Sequence, residues 1–352
     1  MEDRTDLDAE SGNAASSSSH SATQTRTRIG LDVGTSKVVT AEGDAKKSKT
    51  QAQLNAFFAV PYSALHESSL KQSNIAFYRE GDELIVYGSD ADKFAQMFNA
   101  EVRRPMAKGI LNPSEAAATH VLETILGSLV TTARSPGEMI AFSVPAAARD
   151  TGAGLTYHEE TIKHYLRDRG YTPLAVNEGL AVVLAELGKE SFTGIGISCG
   201  GGMCNVAFSF LSIPSLTISI PHGGDYIDSA VGGVVQEPAT RVKAIKEETL
   251  DLSRPTNDKI GKALHIYYDK LIEMLVDELV QAVRTSQRLP RTDQALPIVL
   301  AGGTAKPNGF RDRFEQALAR RTLPFKVAEV RMASDPLTAT ARGALVAALA
   351  ER

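Results

Sequence analysis

One device occurs twice in this chain, half a chain apart: an apolar strand, a glycine turn and a second apolar strand. It reads IGLDVGTSKVVTAE at residues 29–42 and GIGISCGGGMCNVAFSFL at 194–211. Two short apolar runs joined by a tight turn form a hairpin, and a unit recurring at this spacing predicts two domains of related architecture. The 352 residues are enough for two domains with substantial cores.

Helical and strand segments alternate around the hairpins, so the fold class is α/β. LNAFFAVPYSAL (54–65) and NIAFYREGDELIVYG (74–88) read as further β runs, with a turn at Glu80–Asp82. Apolar positions recur at helical spacing over 91–98 and over 114–130, the latter starting at Ser114 behind Pro113. MIAFSVP (139–145) is a buried strand, followed by a Gly-containing stretch and a helix over about 158–169. PLAVNEGLAVVLAELG (173–188) is a strand leading into a helix. After the second hairpin, SLTISIPHGGD adds a strand and turn, and helices follow over 225–236, 238–250 and 256–288. PIVLAGGTAKPNGFRDRFEQAL (297–318) is strand, glycine turn and helix, and an Ala-rich helix ends the chain.

Composition narrows the function classes. A hydrophobic fraction of 43% with 23% charged residues belongs to a soluble globular protein. The net charge of −4 supplies no basic field, so no nucleic-acid partner is expected. No run approaches the roughly 18 apolar residues of a membrane span. Residues 1–27 are Ser/Thr/Ala-rich, lack the apolar stretch of a signal peptide and read as a disordered tail that provides no amphipathic anchor. Phe57 and Phe58 read as core strand. The only two cysteines, Cys199 and Cys204, are too few for a zinc site or disulfide framework and are expected as reduced, buried thiols of a cytoplasmic protein.

Glycine turns between strands leave successive backbone N–H groups pointing one way, a nest for anions. The first turn, Asp32-Val33-Gly34-Thr35-Ser36-Lys37, adds an acid, hydroxyls and a cation. Its Asp32 suits a magnesium shell reached through water, because Mg²⁺ keeps its waters. Gly200, Gly201 and Gly202 supply donors in the second turn, and Gly302-Gly303-Thr304 is placed to pack on a nucleoside. Two hairpins facing each other would hold a polyphosphate from both sides. Neither Walker A nor GxGxxG patterns occur.

In this order the segments resemble the actin, sugar kinase and DnaK-type chaperone superfamily, and within it the bacterial MreB-like proteins, from Ile29 to the C-terminus. IGLDVGTSKVV looks like the first phosphate motif, SCGGGMCNVAF the second and VLAGGTAKPNGF the adenosine motif. VNEGLAVVLAELG and DPLTATARGALVAAL resemble the two connecting helices, with Asn177 and Glu178 at the Asn/Glu-Glu pair and Gly179 where proline is usual. RRPMAKGILNPSE (103–115) and HGGD (222–225) are similar to MreB segments. The resemblance implies two actin-like, ribonuclease H-like domains, each a mixed sheet flanked by helices, with a nucleotide cleft between them. The expected limits are 28–172 for domain I, 173–334 for domain II and 335–352 for a helix returning to domain I.

It also implies ATP and Mg²⁺ as ligands. Asp32, Gly34, Thr35, Ser36 and Lys37 would bind on the first side, with Ser198, Gly200, Gly201, Gly202 and Met203 on the second. Gly302, Gly303 and Thr304 would meet the nucleoside, and Lys246 would stand at the lysine of a ribose-gripping Glu/Lys pair whose glutamate place holds Lys243. Glu159 and Glu160 lie near the family's water-orienting glutamate, in a loop 146–157 that reads as lengthened. The family's second motif begins with aspartate and carries an acid further on, where this chain has Ser198 and Asn205. Loss of those charges puts fast hydrolysis in doubt and leaves binding intact. The expected function is a bacterial cytoskeletal protein of MreB type forming head-to-tail filaments with slow ATP hydrolysis. The alternative is a non-polymerising, nucleotide-dependent adaptor or chaperone like PilM, FtsA or the reactivases. A sugar kinase is disfavoured, for want of a substrate aspartate.

Overall fold

The computed structural model describes residues 28–44, 47–97, 102–146, 152–290 and 294–351. The first half begins with β1 (Arg28–Val33), β2 (Lys37–Gly43), β3 (Ser48–Leu54), β4 (Phe57–Pro61), α1 (Ala64–Gln72), β5 (Phe77–Glu80), β6 (Glu83–Tyr87) and α2 (Ser89–Met97). It continues through β7 (Met106–Ala107), β8 (Ile110–Leu111), α3 (Ala118–Leu129), β9 (Glu138–Val144), α4 (Gly152–Asp168), β10 (Tyr171–Asn177) and α5 (Glu178–Glu186). The second half comprises β11 (Gly194–Cys199), β12 (Cys204–Phe210), β13 (Ile213–Ile220), α6 (Gly224–Val235), α7 (Ala239–Thr249) and α8 (Lys259–Thr285). It ends with β14 (Leu296–Ala301), α9 (Phe310–Ala319), β15 (Val327–Met332) and α10 (Ala339–Ala350).

Each half is built on a five-stranded sheet of the same plan. The order is β10-β9-β1-β2-β3 in one and β15-β14-β11-β12-β13 in the other. In both, the glycine-turn hairpin pairs antiparallel while two later strands add parallel beside its first strand. Central strands carry continuous apolar runs because both faces are covered: β11 and β14 are buried along their whole length. A small sheet, β4-β6-β5, and the β7-β8 ribbon complete the first half. Separate apolar cores lie under each sheet, one around Leu31, Phe142 and Ile125, the other around Ile197, Leu271 and Phe314.

The helices α5 and α10 pack on each other and join the halves. Each lies across sheet strands at a glycine. A Cβ on Gly30 would collide with the Ala341 carbonyl and Leu345 amide, and one on Gly196 with the Gly179 carbonyl. Gly30 and Gly196 hold equivalent places in β1 and β11, two residues before Asp32 and Ser198. Gly179, which departs from the family's proline, lets α5 approach the Val206–Ala207 backbone of β12.

Several boundaries differ from the sequence expectations. The run 54–65 is not all strand: Ser63 accepts a hydrogen bond from the His66 amide and starts α1. β3 is polar apart from Ala52 and Leu54 and buries none of its residues, so it carries no apolar signal. α3 starts at Ala118 because Asn112 and Glu115 side chains take up the Ser114 and Ala117 amides in turns first. α4 starts at Gly152, so much of the segment read as a lengthened loop is helix. Residue 98, the end of the expected 91–98 helix, lies outside the described residues, as do the 1–27 tail and 147–151. Phe57 is fully buried in β4, as expected of core strand.

Candidate functional site

The two glycine turns are built alike. Gly34 N–H donates to the Lys37 carbonyl at 3.0 Å and Gly200 N–H to the Met203 carbonyl at 2.9 Å, closing a four-residue turn in each hairpin. The turns touch across the cleft. A Cβ on Gly201 would collide with Ser36 Oγ, and one on Gly202 with Thr35 Oγ1 and the Gly109 amide. Bare glycine backbone is what permits this approach.

Neighbouring elements occupy the far side of the second turn. The Gly200 carbonyl accepts from Gly224 N–H at 3.1 Å and from Thr304 Oγ1 at 2.7 Å, while the Gly201 carbonyl accepts from Asp225 N–H at 2.9 Å. With its carbonyls held by the N-terminus of α6 and by the third turn, the second turn is fixed as an amide-presenting loop. Gly302, at φ 91°, packs its backbone on Cys199. Thus Gly302, Gly303 and Thr304 support the second turn as well as lining the cleft.

A cavity of about 430 Å³ opens between the turns, within the range of small-molecule sites. Asp32, Gly34, Thr35, Ser36 and Lys37 line it from one side. Ser198, Gly200, Gly201, Gly202, Met203, Lys246, Gly302, Gly303 and Thr304 line it from the other. The structure therefore brings together every residue expected to bind nucleotide. A wider outer groove of about 980 Å³ continues from it past Gly202, Asp225 and Lys243. Glu159 and Glu160 line neither space. On α4 they pair with Lys163 at 2.6 and 2.8 Å, a charged helix face that leaves them outside the cleft.

At the cavity floor two carboxylates meet. Asp32 accepts from Ser143 Oγ at 2.8 Å, and Ser143 in turn accepts from Val33 N–H at 3.0 Å. Glu178, the first residue of α5, accepts from Ser198 Oγ at 3.2 Å. Burial raises Asp32 from an ordinary 3.8 to about 6 against the lowering effect of Ser143. Burial, and then the charge of Asp32, raises Glu178 from 4.5 to about 8. Burial and mutual repulsion thus favour the protonated form of both acids. Asn205, which replaces the family's acid, instead ties strands together: its Oδ1 accepts from Ala146 N–H and Ser219 Oγ.

On the α6–α7 side of the cavity, Lys246 on α7 bonds Asp228 of α6 at 2.7 Å and the Gly224 carbonyl at 3.1 Å. Both side chains are almost fully buried. The carboxylate partner of Lys246 thus comes from a neighbouring helix, and Lys243 is not that partner. Burial raises Asp228 to about 6 despite Lys246. Its Oδ1 and the Tyr268 hydroxyl are buried without a hydrogen-bond partner, and both residues line the cavity. Both atoms are out of contact with solvent, departures from the usual pairing of buried polar groups.

The sequence reading gave no role to Ser143, Arg104, Asp225 or Asp228. Arg104 and Asp225 stood inside segments singled out for resemblance, RRPMAKG and HGGD, and Asp228 lies three residues beyond the latter. Ser143 had no sequence signal, because its role depends on the parallel pairing of β9 with β1.

A family model described as Volactin matches residues 27–348. No curated protein sequence matches the chain. Among solved structures, the MamK double helical filament subunit aligns with a TM-score of 0.69 at 19% identity, covering 93% of this chain and 100% of that one. MreB5 of Spiroplasma citri bound to AMPPNP aligns at 0.64 and 15% identity over 91% and 95% of the two chains. Ethanolamine utilization protein EutJ from Carboxydothermus hydrogenoformans aligns at 0.56 and 18%, over 91% and 89%. At these identities the likeness is one of fold.

Proposed function

The chain belongs to the Volactin family and has the fold of actin-like ATPases near the MreB-like proteins, and on that premise we propose that it binds ATP with Mg²⁺, hydrolyses it slowly and assembles head-to-tail. The observation that carries the binding reading is the pair of matched four-residue turns meeting across the cavity. The turn amides suit phosphate oxygens, and the Lys246–Asp228 pair lines the part of the cavity left for the nucleoside. MreB5 of Spiroplasma citri in its AMPPNP-bound structure is similar in fold, which supports the same ligand class here.

The donor set fits Mg²⁺. Among the described residues no cluster of three metal-ligating side chains occurs, but Mg²⁺ takes one or two carboxylates, waters and phosphate oxygens. Asp32 would be such a carboxylate, holding the ion through water. When bound, the ion would neutralise charge on the phosphates. Glu178 then takes over the part of the missing second-motif acid, holding the attacking water and accepting its proton at Oε1 or Oε2. Burial and the Asp32 charge keep Glu178 largely protonated near neutrality, and a cation bound beside it would lower its pKa into the range of a base. Ser143 keeps Asp32 in place, and Ser198 does the same for Glu178. Phosphoryl transfer asks chiefly for such positioning.

Filament formation is supported by the likeness to a MamK filament subunit over that whole chain. Head-to-tail contacts between identical subunits propagate when rotation does not close a ring. A cytoplasmic setting accompanies this reading. Among the described residues no helix is long and apolar enough to cross a membrane, which does not bear on location. The uncharged Ser198 and Asn205 favour a second reading as a non-polymerising, nucleotide-dependent adaptor.

Sedimentation and electron microscopy with ATP, ADP and no nucleotide, alongside phosphate release, separate the two. Nucleotide-dependent polymers support assembly, whereas a nucleotide-bound monomer at high concentration leaves the adaptor. Absence of thermal stabilisation by ATP would sink both.

A further inference from the structure

Arg104 stands at the mouth of the cleft, in the segment between α2 and β7, and spans it. Its Nη1 donates to Ser36 Oγ of the first turn at 3.1 Å and to both oxygens of Asp225 at 2.8 Å. Asp225 is in the first turn of α6, and its amide holds the Gly201 carbonyl of the second turn. Among the ion pairs of the described residues, this one crosses the cleft opening between the two phosphate turns. Ser36 Oγ and Asp225 Oδ1 both lie close to the Cβ position of Gly201, so one small volume is bordered by both turns and the guanidinium.

We propose that Arg104 reads the terminal phosphate of a bound nucleoside triphosphate, exchanging Asp225 for the γ-phosphate and returning to Asp225 when only a diphosphate is present. The inference rests on the nucleotide-binding reading above and adds to it a residue that distinguishes nucleotide state.

Three observations carry it. The Arg104 Nε and Nη2 make no hydrogen bond among the described residues, so an edge of the planar fork remains for a phosphate. The pair is only partly buried, with side chains 18% and 34% exposed. An ion pair in contact with solvent adds little net stability and yields to a more highly charged anion. The Lys246–Asp228 pair, at 8% and 5% exposed, has no such freedom. Finally, Asp225 tolerates release, because it sits at a helix N-terminus in contact with water, where a carboxylate is favoured. Exchange therefore leaves no buried charge unpaired. It also removes the ion pair that ties the two sides together, so the identity of the nucleotide sets how they are joined.

The test compares AMPPNP and ADP affinities by calorimetry for the wild type, Arg104→Ala, Arg104→Lys and Asp225→Asn, with thermal melts of each. Arg104→Ala should weaken AMPPNP binding about tenfold or more and ADP binding less than about threefold, with Arg104→Lys in between. Asp225→Asn, which removes the competitor, should hold or raise AMPPNP affinity and leave ADP unchanged. Equal losses for both nucleotides in Arg104→Ala, or a loss of AMPPNP affinity in Asp225→Asn, would mark the pair as a structural brace and overturn the proposal. If Arg104→Ala does not fold, the Asp225→Asn result decides. A wild type that binds neither nucleotide overturns the site reading itself, a result distinct from binding without discrimination.

Discussion

The two halves share a scaffold and divide the chemistry. Gly30 and Gly196 make the same close contact with a connecting helix, and Gly34–Lys37 and Gly200–Met203 close the same turn. The first half also carries Asp32, fixed by Ser143. At the matching places in the second half are Ser198 and, on β14, Ala301, with no acid between them. The second carboxylate comes from Glu178 on the connecting helix. Where backbone meets backbone, the duplicated plan constrains both halves equally; where side chains face the cavity, one half can give up a charge that a neighbour restores.

The largest effect tests the shared part. Gly30→Ala and Gly196→Ala should each destabilise by about 3 kcal/mol or more, because the new Cβ meets backbone that cannot yield. Chemical denaturation or soluble yield reads this, and tolerance in one half alone would break the equivalence. The next tests the division of labour. Asp32→Asn should slow phosphate release by about 100-fold, while Ser198→Ala should cost less than about threefold. Similar losses at both positions would restore chemical symmetry.

A third prediction follows Glu178 through pH. Its folded pKa is raised from 4.5 to about 8, so the nucleotide-free folded state retains a proton that the unfolded chain has lost. This contribution is fully present below about pH 4.5 and declines as pH climbs to about 8. Glu178→Gln should flatten that decline and raise the melting temperature at pH 8 while abolishing hydrolysis. An unchanged pH profile would place the proton elsewhere. The smallest effect concerns the nucleoside end. Lys243→Glu, which restores the family residue, should change ATP affinity by less than about threefold, since Asp228 already partners Lys246. Asp228→Asn should lower it by about tenfold. The reverse order would return the ribose-gripping role to α7.

Much of the fold is legible in the sequence, and the differences have two causes. The hairpins, their turns and the residues expected to bind a nucleotide fall in the cleft: the turns are local patterns of apolar runs and glycine, and Lys246 follows from the family resemblance. α1 and β3 were missed since neither buries a regular face: Leu70 is the buried residue of α1, and β3 has none. Glu159 and Glu160 were drawn to the cleft by position in order. The helix carrying them begins at Gly152, and Lys163 engages both acids away from the cavity.

The sequence by itself determined the duplicated α/β plan and the two glycine turns, because glycine and strand signals act within a few residues of themselves. Only the tertiary structure decided which side chains complete the site. Ser143 reaches Asp32 across parallel strands, Glu178 reaches Ser198 from a helix, Asp228 reaches Lys246 between helices, and Arg104 reaches both Ser36 and Asp225. These partners are distant in sequence, and hydrogen bonds and charges act over a few ångströms of space. The same chain order is therefore compatible with many such pairings until packing selects one.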